Sequence, residues 1–271
     1  MREVGALEAK NKLGGCSTWS DTGRRSSLRD TARRWRALPR RTSLQPRAEG
    51  MTVGGEGYEL WFIGAQRQTI MNGKLAAALD LRTLADRPHL YGLGPLEQLR
   101  GEATIADSRS ALARVGPDGM VKVTQSFDAG VPFFVWAEVP RWIEVPIPAG
   151  IGSFEDLEQF VPRAAEAAGL NAEKPLPFLV SGRQELIGFH ILNRIGDAPH
   201  DTEMHEKIKV KFELVKTEAT IVGFHSTRHR GVFTPGDSNI HIHFQTPDNG
   251  QSGHIERLKI SGGARLFLPA T

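Results

Sequence analysis

Nine histidines occur in this chain of 271 residues, and eight of them lie between His190 and His254. The sharpest pattern is His241-Ile242-His243, with His254 eleven residues after His243. On a strand, residues i and i+2 point to one side. His241 and His243 therefore project together, and Ile240, Ile242 and Phe244 face the other way. Pro247-Asp248-Asn249-Gly250 is a turn signal. A hairpin closed about its midpoint puts His254 opposite His243 and Glu256 opposite His241, with cross-strand Cβ atoms ~5 Å apart. Three neutral imidazoles at that spacing predict a metal site, with Zn2+ the first expectation and another divalent ion the alternative. A lone His-x-His reads as polar residues on the wet face of a sheet; the third His across the predicted hairpin favours a metal.

The other histidines carry less chemistry. His190 lies between Phe189 and Ile191 and either points at the same cavity or is a satisfied sheet histidine. His200, Glu203 and His205 are expected in a surface loop rather than in a second ligand group. His225 and His229, beside Arg228 and Arg230, are expected to be solvated, and His89 to lie in a loop. No Gly-rich phosphate loop, Gly-x-Ser-x-Gly elbow or His-Glu-x-x-His helix is present. "GLGPLEQLRG" lacks the dinucleotide spacing. The single cysteine, Cys16, excludes a disulfide framework and a thiolate zinc cluster.

Strands must hold these side chains. "YELWFIGAQRQTIMNG" is strand-like, and "KLAAALDLRTLADRPH", with Leu75, Leu79, Leu81 and Leu84 at helical spacing, predicts a helix ending before Pro88. "LYGLGPLEQLRGEATIADSRSALARV", "MVKVTQSF" and "VPFFVWAEVPRWIEVPI" predict further strands, with a turn at Gly116-Pro117-Asp118-Gly119. Ser153 opens the clearest helix, with Asp156 as a weak capping-box partner, Gly169 at its end and Pro162 inside it. Beyond Pro175 alternation predicts an antiparallel sheet. The fold class expected is α+β, β-rich, with two mixed or antiparallel sheet subdomains and few helices. The expected divisions are a basic leader over 1–50, an N-terminal subdomain over 51–172 and a C-terminal subdomain over 173–271 that carries the histidines.

Charge supports the leader. Residues 1–50 hold 12 Lys and Arg against 5 Asp and Glu, a net of +7, whereas residues 51–271 hold 22 against 26, a net of −4. The leader is Arg- and Ser-rich with few apolar anchors, so it is expected to be unstructured. It reads as an extension upstream of a start at Met51, with an organelle-targeting peptide or a nucleic-acid arm as alternatives. The folded body is expected to bind no nucleic acid. No apolar run approaches the ~20 residues of a membrane span; a cytoplasmic protein without a membrane partner is expected.

The motifs together resemble the α-acetolactate decarboxylase family. "ATIVGF", a loop, "SNIHIHF" and "GQSGHIERLKI" resemble that family's metal-binding half, and "LYGLGPLEQLRGEATIADSRS" resembles its upstream segment. The likeness runs in order from about Leu60 to Leu268. It implies two β-rich subdomains with a metal near their junction, and Glu102 as the metal-contacting carboxylate. It implies decarboxylation of 2-acetolactate, or of a related 2-hydroxy-3-oxo acid, to acetoin and carbon dioxide, and a homodimer. The family's Arg has its nearest counterpart in Arg194, at a small offset, with His190 the alternative occupant. Glu102, Arg194, His190 and Glu256 are thus the proton-transfer candidates. The family returns a Glu from a longer C-terminal tail, whereas this chain ends 17 residues after His254, so that Glu is expected to be absent. A non-catalytic metal- or ligand-binding module is therefore the alternative function. A cupin-like oxygenase is disfavoured because Phe244-Gln245-Thr246-Pro247 supplies no carboxylate after His-x-His.

Overall fold

The computed structural model describes residues 57–271; the leader over 1–50, with Cys16 in it, and Met51 lie outside the described residues. Strand β1 (Glu59–Ile63) leads into helix α1 (Gln66–Asn72), which stops at Gly73 in the left-handed region, φ 60°. The next stretch corrects an expectation. Leu75, Leu79, Leu81 and Leu84 are all buried, but Leu75 lies in an irregular segment and the others in strand β2 (Leu79–Asp80) and a 3-10 turn over Leu81–Leu84, not in an α-helix. The Asp80 side chain accepts the Arg82 N–H, and such local bonds compete with helix propagation. The three-residue period of the 3-10 turn still brings Leu81 and Leu84 to one side.

Strands β3 (Leu90–Pro95), β4 (Glu102–Ala106), β5 (Arg109–Val115), β6 (Val121–Thr124), β7 (Gly130–Val131), β8 (Phe134–Glu138) and β9 (Trp142–Pro146) follow, β3 lying where glycine turns were expected. Helix α2 (Phe154–Ala167) has a complete capping box: the Asp156 N–H donates to Ser153 Oγ and Asp156 Oδ2 accepts the Ser153 N–H. The chain ends with β10 (Leu176–Leu192), a short helix α3 (Thr202–Lys207), β11 (Lys209–His225), β12 (Ile240–Gln245), β13 (Ser252–Ile260) and β14 (Arg265–Pro269). None of the described helices is long and apolar enough to cross a membrane.

The strands form two six-stranded antiparallel sheets. One runs β1-β8-β3-β4-β5-β6 and the other β11-β12-β13-β10-β14-β9, with β2 and β7 paired separately. Strands β10 and β11, 17 residues each, also pair with one another from Leu176↔His225 to Leu192↔Lys209. The order β11-β12-β13-β10 therefore closes on itself as a ring. Closure is partial, because β12 covers only Thr220–His225 of β11 and Ser252–His254 of β13. Strand β9, which precedes residue 172, pairs with β14 in the second sheet. One apolar core runs from Leu60, Leu93 and Val135 of the first sheet to Phe178, Phe224 and Phe244 of the ring. The fold is α+β and β-rich.

Candidate metal centre

Alternation on β12 does what strand geometry requires. Ile240, Ile242 and Phe244 enter the core, and His241 and His243 leave it on the opposite face, both buried. The turn after β12 sets the register His243↔His254, Phe244↔Gly253 and Gln245↔Ser252. There the ladder stops. Strand β13 passes from β12 to β10, where His254 faces His190. Glu256 therefore does not stand across from His241. It is the extra residue of a bulge, between Ile255, paired with Phe189, and Arg257, paired with Gly188.

His241, His243 and His254 each bring one ring nitrogen into a cluster whose members lie within 4.8 Å of one another. His241 Nε2 and His254 Nδ1 are 3.1 Å apart, close to the roughly 3.3 Å between two nitrogens on a tetrahedral ion with 2.0–2.1 Å bonds. The far side of each β12 ring is held. His241 Nδ1 is 2.7 Å from the Phe233 carbonyl, so that nitrogen carries the proton and donates it. His243 Nδ1 is 3.1 Å from Thr104 Oγ1, which also accepts from Ser252 Oγ at 3.0 Å. Such outer partners orient ligand rings. His243 Nε2 is buried with no hydrogen-bond partner. An orphaned buried nitrogen is costly, and a cation in the cluster would satisfy it.

Electrostatics agree with that fit. Burial lowers all three rings, His241 to about 4 and His243 and His254 well below 6.5, with neighbouring rings adding to the effect. All three are neutral at pH 7, the form that ligates. The residues present thus suit a divalent metal of the imidazole-binding kind.

Glu102 opens β4 beside this cluster and is 1% exposed. Its Oε2 lies 3.9 Å from His243 Nε2 and its Oε1 3.8 Å from His190 Nε2. Oε1 also accepts the Leu192 N–H at 3.4 Å. Burial pushes the carboxyl up to about 8, against the Leu192 bond and the more distant Lys209 charge. His190 stacks on His254 with ring centroids 4.5 Å apart. Its Nδ1 is 3.2 Å from Glu256 Oε1, off the line a hydrogen bond needs. Burial lowers His190, while His190 and Lys209 hold Glu256 well below the usual carboxylate range. Lys209 Nζ lies 3.2 Å from Glu256 and 2.6 Å from Glu206. These groups line one cavity of about 730 Å3, in which Lys209 is the one Lys or Arg among the described residues.

Arg194 does not join them. It lines a separate cavity, beside Gln98 and His200. Four other histidines correct the expectation of solvated loops. His200 and His205 are buried, with His200 Nε2 3.3 Å from His205 Nδ1, and His205 sits on α3 facing the metal cavity. His225 ends β11 and is 1% exposed. His229 is half-buried against Phe233, its Nδ1 2.8 Å from Ser226 Oγ. Their charged sequence neighbours Arg228 and Arg230 are exposed, so adjacency in sequence misled. The sequence reading also missed Thr104, Lys209 and Phe233. Thr104 was findable, because it shares a strand face with Glu102 two residues earlier. Phe233 acts through its main chain and leaves no side-chain signal.

A family profile described as alpha-acetolactate decarboxylase matches residues 63–267. Among solved structures, an alpha-acetolactate decarboxylase from Bacillus subtilis strain 168 is 15% identical, with a TM-score of 0.59 over 77% of this chain and 83% of that one. The acetolactate decarboxylase of Bacillus subtilis subspecies spizizenii is 14% identical, TM-score 0.60, over 78% and 86%. A Staphylococcus aureus protein of unknown function, described as similar to alpha-acetolactate decarboxylase, is 13% identical, TM-score 0.60, over 77% and 84%. At these identities the likeness is one of fold. No curated protein matches the chain.

Proposed function

This chain belongs to the alpha-acetolactate decarboxylase family, and from that premise we propose that it is a metal-dependent carboxy-lyase acting on 2-acetolactate or a related 2-hydroxy-3-oxo acid, with acetoin and carbon dioxide as the products from 2-acetolactate. The observation that carries this reading is the cluster of His241, His243 and His254, with the orphaned His243 Nε2, at a cavity lined by His241, His254 and the buried Glu102. His241, His243 and His254 would hold the metal, which is proposed to be zinc. Bound there, it supplies Lewis-acid polarisation of the substrate oxygens and neutralises the charge left when carbon dioxide departs. The chain's own groups supply the rest. Phe233 and Thr104 hold the rings in their ligating orientation. Burial keeps Glu102 protonated at neutral pH, and a nearby cation draws it back toward the carboxylate. Glu102 is thus poised to hold or release a proton at Oε1 or Oε2 where substrate carbon would be protonated. Lys209 offers the positive charge facing a substrate carboxylate, and Glu256 holds Lys209 in place.

A second reading, a metal-binding module without turnover, is favoured by one observation: Arg194 faces another cavity. Two measurements separate these readings. Purified protein is expected to carry about one zinc per chain and His243→Ala far less, since three ligands hold the ion jointly. Equal metal content in the two would end both. Zinc-loaded protein is then given racemic 2-acetolactate, and acetoin is measured against the spontaneous rate. Acetoin formation that Glu102→Gln lowers by roughly 10²-fold supports the lyase, that being the usual contribution of a positioned acid or base. Acetoin at the spontaneous rate alone leaves the binding module.

A further inference from the structure

The cavity that contains Arg194 is separate from the metal cavity and larger, about 890 Å3. The two are divided by the His200–His205 pair, 3.3 Å apart, with His200 on one side and His205 on the other. Its walls are largely apolar, from Ala65, Ala76, Pro132 and Pro199, and two cations, Arg194 and the exposed Lys74, line it with one carboxylate, the exposed Asp197. Arg194 is 7% exposed. Its guanidinium donates to main-chain Ala198 O at 2.6 Å and to Gln98 Oε1 at 3.4 Å, both neutral acceptors. The one carboxylate in reach among the described residues is Asp197. It is 90% exposed, 3.9 Å from Arg194, and nearer to Arg100 at 3.4 Å. A buried guanidinium without a close counter-ion is costly unless an anion reaches it.

The local backbone is built to keep Arg194 in place. Gln98 and Leu99 both adopt left-handed conformations, φ 58° and 54°, which non-glycine residues avoid. The Gln98 N–H donates to Leu75 O and the Arg194 N–H to Leu99 O. That strain presents the Gln98 side chain to the guanidinium. Arg is also the side chain whose planar fork suits a carboxylate or a phosphate.

We propose that this cavity is a second small-molecule site, in which an oxyanion, carboxylate or phosphate, pairs with Arg194 while an apolar body lies against the alanine and proline walls. Benzoate and phenyl phosphate are the probes, with benzyl alcohol as the neutral control, titrated calorimetrically into full-length His243→Ala protein so that the metal cluster cannot contribute. Saturable binding of at least one anion, tighter by tenfold or more than that of benzyl alcohol, is expected. Adding Arg194→Gln should weaken it at least tenfold. Adding Ala76→Trp, which obstructs the cavity from an exposed wall position and leaves every charge in place, should do the same. Tighter binding of benzoate or of phenyl phosphate identifies the oxyanion. Absence of saturable binding, or equal affinity for benzyl alcohol, overturns the proposal. So does affinity within about twofold after Arg194→Gln, or after Ala76→Trp if the arginine variant does not fold.

Discussion

Desolvation prepares the three rings, and it costs stability in the metal-free protein. His241 in the folded chain titrates at about 4, against about 6.5 unfolded. As pH falls below 6.5 the unfolded chain takes the proton first, so stability present above that pH is lost toward 4. For one ring that loss is on the order of 3 kcal/mol. His243 and His254 shift the same way. Glu102 acts in the opposite sense: raised to about 8 from 4.5, it costs stability as pH rises between those values. The three rings outweigh one carboxyl, so the melting temperature of metal-free protein should drop between pH 7 and pH 5. His241→Gln should shrink the drop; an unchanged slope would remove His241 as a source. The outer partner is tested by Thr104→Val, which takes the acceptor from His243 Nδ1 and Ser252 Oγ. A 10- to 100-fold loss of zinc affinity is expected, the usual effect of removing such a partner, and competition against a chromogenic chelator measures it.

Strand β13 does most to assemble the centre. Its first residues pair with β12 and place His254; the remainder pairs with β10 and places Glu256 through the bulge. Close packing allows that switch. A Cβ on Gly253 would stand 2.6 Å from the Phe189 ring and 3.0 Å from His190 O. Gly253→Ala must therefore move β13 away from β10, at a cost of roughly 1–3 kcal/mol, and should lower both the melting temperature and the zinc content. Unchanged zinc content would show that His254 does not depend on this contact. Ser153→Ala is the contrasting case. It removes the cap of α2, should cost about 1 kcal/mol, and should leave zinc content unchanged.

At the scale of the molecule, the centre joins the two sheets. The rings come from β12 and β13, whereas Thr104 and Glu102 come from β4. Gln245 of β12 adds bonds to Thr104 O and Arg109 O across the same interface, and one apolar core spans both sheets. A metal that binds only the folded state should thus stabilise both sheets together. Free zinc at 100 times its dissociation constant adds ~2.7 kcal/mol, or roughly 5–10 °C for a body of this size. Calorimetry with zinc and with a chelator should show one transition that shifts as a unit, with no shift in His243→Ala. Two transitions, of which zinc moves one, would mean that the sheets unfold separately.

Much of this was legible in the chain. Alternation marked β4, β5 and β6, the Ser153–Asp156 box marked α2, and the spacing of His241, His243 and His254 put His254 across from His243. These are local properties, because a strand's period decides which side a residue faces and a turn decides the register of the strands it joins. Tertiary structure decided the rest. Whether β13 stays with β12 or crosses to β10 depends on a strand more than sixty residues away, and that choice placed Glu256 by His190. Residues 75–84 carried helical spacing, yet Asp80 and the neighbouring β7 drew residues 79–84 into a short strand and a 3-10 turn. His200 and His205 sit among polar residues in sequence and His225 opens a polar run, but burial is set by what packs over a side chain. Arg194 is the sharpest case: the family resemblance, at a small offset, brought it near the reaction, and the fold places it in a different cavity.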